Sequence, residues 1–270
     1  MGYSPAKAYW YLQKQRQRRT VEEPPFDPAT LFASGEDGAY YDISDITTLW
    51  TDDGVTQVAS EDDPVYRVDD KSGNGMHLYQ ATATKRPLYK AGGGLPYLYF
   101  DGVDDLMASV ATQVTGPVPV FGAMCASKTT HPSGANIFSV MTGAADYLGF
   151  QSVSSSRLYF AHRDNGGTVA SIISAVNDAG PSPWVADYYV TDGSHEGWDN
   201  VSGAYGPAAG QISGATTLPD QVVGLNAATP TAGALCQLNF YGGVFVDRTM
   251  TGADRSGVRE WLLGLGGIAA

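Results

Sequence analysis

The sequence predicts an all-β protein, a two-sheet antiparallel sandwich of jelly-roll type with a helical arm at its N-terminus and one helix at its C-terminus. Three observations predict it. The 270 residues include 33 Gly, 15 Pro and 16 Tyr with only 16% charged side chains, a composition of many short strands joined by turns rather than of helices. Stretches with apolar residues at alternate positions recur along the chain, the period at which side chains of a strand reach one face. Turn-forming Gly, Asn, Asp and Pro interrupt these stretches about every 10 to 15 residues, the rhythm of a sandwich, and no longer repeat underlies it.

Ser4 before Pro5 opens a helix over 4–19, because a Ser cap and a Pro at the first helical position are both favoured. It carries Tyr9, Trp10 and Tyr11 with Arg16, Arg18 and Arg19. So short a helix is marginal alone, and aromatic plus Arg is the composition of an interface; a frayed basic tail is the other reading. Glu22-Glu23-Pro24-Pro25 ends it as a stiff linker, which divides an arm over 1–25 from a sandwich domain over 26–270. A strand and turn follow over 38–45, then strands at 47–50 and 65–68. Asn74-Gly75 and Asp101-Gly102 supply tight turns. Just before the second, Leu98 and Phe100 point to one face and Tyr97 and Tyr99 to the other, which suits a sheet packed on both sides. Further strands are predicted at 118–127, 137–141, 147–153, 157–163, 169–176, 184–191, 221–225 and 235–247. Thr251 to Asp254 forms a capping box, after which Val258, Trp261, Leu262 and Leu265 share one helix face.

Net charge is -12, unevenly placed: residues 1–21 hold five basic and no acidic residues, leaving 11 basic against 28 acidic in the remainder. An acidic body of this kind repels nucleic acid and anionic membranes, whereas a basic arm is an attachment device. Cys125 and Cys236 lie in apolar runs and read as buried free thiols. No leader-like apolar region follows the basic start and no apolar run is long enough to cross a membrane, so neither export by a signal peptide nor membrane insertion is expected.

Several of these residues also carry a resemblance. Tyr40-Tyr41-Asp42 through Ser44-Asp45, Val68 through Gly75, Arg86-Pro87, Gly94-Leu95 and Phe100 through Asp105 resemble, in that order, the laminin-G-like, concanavalin A-like lectin/glucanase domains frequent in tailed bacteriophages and prophages. Val244 through Arg248, then Met250-Thr251 and the helix ending Trp261-Leu262-Leu263, extend the likeness over 26–267. The resemblance implies a two-sheet concanavalin A-like jelly roll on a virion, in a tail, a baseplate or a head fibre, assembled in the bacterial cytoplasm and present in multiple copies. Host-surface polysaccharide is the implied ligand. The arm, which the family core lacks, would then anchor the domain to other virion proteins through Tyr9, Trp10, Arg16, Arg18 and Arg19. The alternative is a capsid-decoration or tail module without a ligand, and more remotely a carbohydrate-active enzyme.

The chemistry points to binding rather than catalysis. Glycosidases on this fold resemble one another in placing two glutamates on one strand face, and retaining chemistry needs the carboxyls about 5 Å apart. After Glu61 this chain has only Glu196 and Glu260, and Glu196 and Asp199 fall on opposite faces of a strand. No Gly-x-Ser-x-Gly elbow or phosphate loop occurs, and His77, His131, His162 and His195 lack zinc-helix spacing. No catalytic residue and no cofactor are predicted. Asp101, Asp104 and Asp105, with Asp69, Asp70 and Asn74, offer oxygen ligands for a structural calcium, against a reading in which Asp101-Gly102 makes the turn and its carboxylate caps backbone N–H groups. The glycan candidates are Trp198, His195, Glu196, Asp199, Asn200 and Tyr205, an aromatic face beside carboxylate and amide groups in a segment read as loop-like around 193–197.

Overall fold

The computed structural model describes residues 25–109, 119–130, 135–142, 146–153, 157–163, 169–173, 180–191, 194–209, 222–226 and 235–269. Residues 1–24 of the predicted arm over 1–25, with its anchoring candidates Tyr9, Trp10, Arg16, Arg18 and Arg19, lie outside them. Among the described residues the strands are β1 (Gly38–Asp42), β2 (Leu49–Trp50), β3 (Arg67–Val68), β4 (Leu78–Tyr79), β5 (Leu88–Lys90), β6 (Tyr97–Asp101), β7 (Met107–Ser109), β8 (Val120–Lys128), β9 (Asn136–Thr142), β10 (Asp146–Val153), β11 (Arg157–Arg163), β12 (Val169–Ile173), β13 (Gly180–Thr191), β14 (Ser194–Asp199), β15 (Gly203–Ala209), β16 (Val222–Leu225) and β17 (Gln237–Asp247). One helix, α1 (Gly252–Leu265), follows them.

The strands form two antiparallel sheets. The first runs β15-β14-β13-β8-β17-β6-β5 with β1 also paired to β17, and the second runs β12-β11-β10-β9-β16-β7-β4-β3-β2. Alternation decides what each strand buries. Across the second sheet, Phe160, Phe150, Phe138, Leu225, Met107, Leu78, Val68 and Leu49 follow one another on the inner face, with Leu78 paired to Ser109, two residues beyond Met107. Opposite them stand Tyr188, Phe240 and Phe245, with ring centroids 4.2 Å apart for Phe138 and Phe245 and 5.0 Å for Phe150 and Tyr188. Lys128 is also internal, its ammonium donating to Ser152 Oγ across the sandwich at 2.8 Å.

Helix α1 makes a third layer over the outer face of the first sheet. Its Val258, Leu262 and Leu263 join Phe121, Ala123, Cys125, Val185 and Val244 in a second apolar cluster. The predicted capping box is present: Asp254 N donates to Thr251 Oγ1 at 3.1 Å and Thr251 N to the Asp254 carboxylate at 2.9 Å. At the Asp101-Gly102 turn, Gly102 has φ +78° and a Cβ there would sit 2.7 Å from Gln237 N. Only glycine fits this corner. Neither cysteine is joined in a disulfide, both are buried, and burial pushes the Cys125 thiol far up.

Two expectations are corrected. Residues 194–197, read as loop-like, belong to β14, because Ser194 to Asp199 pair with β13 on one side and β15 on the other. Tyr97 and Tyr99, expected beneath a second covering layer, are only half-buried. The reason is the length of α1: near Leu95 and Ile268 its C-terminal end runs out, and among the described residues no helix covers the outer face beyond.

Candidate functional site

This uncovered end of the first sheet holds a cleft of about 470 Å³, lined by Lys90, Tyr97, Tyr99, Ser127, Lys128, Thr129, Gln237 and Asn239. Register explains the assembly. Leu88 pairs with Tyr99, Tyr99 with Asn239 and Asn239 with Ser127, so one outward row crosses β5, β6, β17 and β8. Lys90 and Tyr97 form the next row. The inward neighbours Tyr89, Leu98, Phe100, Leu238 and Phe240 are buried in the core and hold these strands in place.

Hydrogen bonds order the floor of the cleft. Gln237 donates its Nε2 to Tyr99 OH at 2.6 Å and accepts at Oε1 from Thr129 Oγ1. The Gln237 backbone N–H reaches Thr130 Oγ1 at 2.7 Å, and Asn239 Nδ2 donates to Ser127 Oγ at 3.0 Å. Tyr97 packs on Tyr241 with centroids 5.4 Å apart, and burial raises the Tyr241 phenol. Lys90 donates to Asp62, a bond that holds its ammonium above the ordinary lysine range, and lies 5.9 Å from the centre of the Tyr99 ring. The Lys128 amine points away from the cleft toward Ser152. The result is an aromatic and amide surface in which Tyr99, Ser127, Thr129, Gln237 and Asn239 are each held by a neighbour, the arrangement that hydroxyl-rich ligands require.

The residues singled out in the sequence lie elsewhere, on β14 and the turn after it. There the alternation sends His195 and Asp199 into the sandwich and Glu196 and Trp198 toward α1. Glu196 accepts from Arg255 at 2.7 Å, and the Arg259 guanidinium stacks 4.4 Å from the Trp198 ring centre. Asp199 accepts the backbone N–H groups of Val201 and Ser202 at 2.8 and 2.6 Å and the hydroxyl of Tyr205. Asn200 accepts from Val185 N at 2.8 Å. His195 is buried, with neither ring nitrogen hydrogen-bonded to a described residue, and desolvation lowers its pKa. The six therefore do not converge on one open surface, and most close the hairpin or hold the helix.

The aspartates near the turns are similarly engaged. Asp70 accepts from Tyr40 N, Ser72 and Met76 N, Asp69 from Trp50 Nε1 and Arg67, and Asn74 donates to the Glu36 and Gly38 carbonyls. Asp101, Asp104 and Asp105 bring carboxylate oxygens within 4.8 Å of one another, close enough to share a cation. What they are seen to do is close the turn: Asp101 accepts from Val103 N and Asp104 N at 2.7 and 3.3 Å, and Asp105 from Asp101 N at 2.9 Å.

No protein-family model and no curated protein matches the chain. Solved structures do. Domain 4 of AbnA, a GH43 extracellular arabinanase from Geobacillus stearothermophilus in complex with arabinotriose, is similar at TM-score 0.58 and 7% identity, over 83% of this chain and 98% of that one. A GH54 α-L-arabinofuranosidase gives 0.56 and 14% over 88% and 65%, and the binding domain of botulinum neurotoxin serotype G gives 0.50 and 12% over 80% and 50%. The likeness is one of fold. The chain thus shares its β-sandwich with domains of glycosidases and a toxin binding domain, and it spans about half of an arabinofuranosidase structure and of the neurotoxin domain, at 51% and 50% of their lengths.

Cleft residues escaped the sequence reading because they come from four strands that neighbour one another only after folding. Their one local signal is polar or aromatic residues at alternate positions, Tyr97-x-Tyr99 and Gln237-x-Asn239. Alternation of that kind also marks any solvent-facing strand.

Proposed function

We propose that the protein is a lectin-like, concanavalin A-like jelly roll that binds glycan without cleaving it, with the ligand in the cleft between Tyr99 and Asn239. The observation that carries this reading is the ordered floor, in which aromatic rings for the apolar face of a sugar lie beside amide and hydroxyl groups for its hydroxyls. A related fold has been solved with arabinotriose, which supports the ligand class. The eight cleft residues include no carboxylate, whereas glycoside hydrolysis employs two. On the resemblance of its turn motifs to phage and prophage domains, we further propose that the chain is carried on a virion, in tail, baseplate or head fibre, and held there by the arm over 1–25.

Each part has its own test. On a glycan array, the full chain is expected to give a sugar-specific signal that Tyr99→Ala with Asn239→Ala lowers by at least about ten-fold, the loss of one or two hydrogen bonds and a stacked ring. A flat array would favour the ligand-free structural module. Deleting residues 1–25 is expected to abolish incorporation into particles, and normal incorporation would remove the anchoring role.

A further inference from the structure

The charges around the cleft narrow the ligand further, given the glycan reading on which this step rests. Two lining residues carry a formal charge, and both are taken. The Lys128 ammonium is inside the sandwich on Ser152. Lys90 is ion-paired with Asp62, and Glu61 adds a second negative charge to its surroundings. The rim at Lys90 therefore carries no spare positive charge for a sugar carboxylate or sulfate, and the chain as a whole is at -12. A buried or half-buried anion without a partner is costly, and long-range repulsion from an acidic body adds to that cost.

Neutral hydroxyls meet the opposite situation. Tyr99 OH accepts from Gln237, and a phenol that accepts still has its own proton to give to a ligand oxygen. Gln237 retains a second Nε2 proton beyond the one given to Tyr99. The outward row from Leu88 to Ser127 crosses four strands, a span of about 14 Å at ordinary strand spacing, which suits a short oligosaccharide lying across the strands rather than a single ring.

We infer that the cleft takes a neutral oligosaccharide laid across β5, β6, β17 and β8, and that the Lys90–Asp62 pair excludes acidic sugars. Titration calorimetry on the full chain tests this with neutral trisaccharides (arabinotriose, xylotriose, cellotriose, maltotriose), their monosaccharides, and trigalacturonate as the acidic counterpart, at low and high salt. A neutral trisaccharide is expected to bind more tightly than its monosaccharide and than trigalacturonate, with an affinity insensitive to salt. Tyr99→Phe, which keeps the ring and removes the hydroxyl, is expected to weaken it roughly ten-fold, the value of one hydrogen bond. Asp62→Asn, well tolerated at the positive φ of this residue (69°), is expected to raise trigalacturonate affinity by releasing Lys90. Tighter binding of trigalacturonate by the unaltered chain, or affinity that falls steeply with salt, overturns the inference while leaving a glycan site. An Asp62→Asn chain that still rejects trigalacturonate overturns the role of the ion pair. If neither class of sugar binds, and an array is equally silent, the glycan reading itself falls.

Discussion

Asp187→Ala is expected to destabilise the fold by about 3 kcal/mol, the cost of removing one partner from a buried ion pair. Asp187 is fully buried in β13, at 0% exposure, beneath α1. Arg259 reaches it through Nε and through Nη2 at 3.2 Å, and Arg255 through Nη2 at 3.3 Å. Burial raises the Asp187 carboxyl, and the two guanidiniums offset part of that rise. Without it, among the described residues Arg259 keeps the Trp198 ring and Arg255 keeps Glu196 and the Tyr189 ring. The Arg259 guanidinium then loses its carboxylate partner, and α1 loses its polar tie to β13 while Arg255 still holds β14 through Glu196. Urea unfolding checks the magnitude. Because Arg255 and Arg259 are each about a fifth exposed or less, at 16% and 21%, solvent can relieve part of the strain; a loss under about 1 kcal/mol would mean the pair behaves like an exposed one.

Asp105→Asn is expected to act in the opposite direction, and increasingly as pH rises above about 4. Desolvation, with smaller repulsion from Asp101 and Asp104, raises the Asp105 carboxyl to about 6 from 3.8. A carboxyl whose folded value lies above its unfolded value costs stability where it must ionise. The penalty is therefore absent below about 4, grows as pH rises through the window between the two values, and is complete above about 6. Asparagine cannot ionise and keeps an oxygen for the Asp101 N–H. The variant should be more stable than the parent by about 2–3 kcal/mol at pH 8 and equal to it at pH 4. Denaturation midpoints at the two values read this directly. Calcium added at pH 8 gives a second reading, since an ion shared by Asp101, Asp104 and Asp105 would stabilise the parent and not the variant.

Much of the fold was legible because local chemistry and tertiary structure agree. Leu98 and Phe100 are core residues, as their alternation predicts, and the Thr251 to Asp254 capping box starts α1 where the sequence places it. Trp184 and Tyr188, which share a strand face, are both buried. The candidate site was legible only in part. Trp198, Glu196 and Asp199 have the composition of a sugar site, but composition does not report partners. Arg255 and Arg259, more than 50 residues further on in the chain, claim Glu196 and Trp198, and a hairpin claims Asp199.

The sequence by itself determined the class of protein: strand periodicity, turn glycines such as Gly102 and a capped amphipathic helix leave an antiparallel sandwich as the consistent outcome. It also determined which side chains point together along any one strand, because that period is a property of the backbone. Tertiary structure alone decided which strands are neighbours and how far α1 reaches. Those two facts place Tyr99 beside Asn239, 140 positions away, and leave them uncovered. Strand pairing over such separations depends on the balance of the whole core, so the cleft exists only once the two sheets have closed.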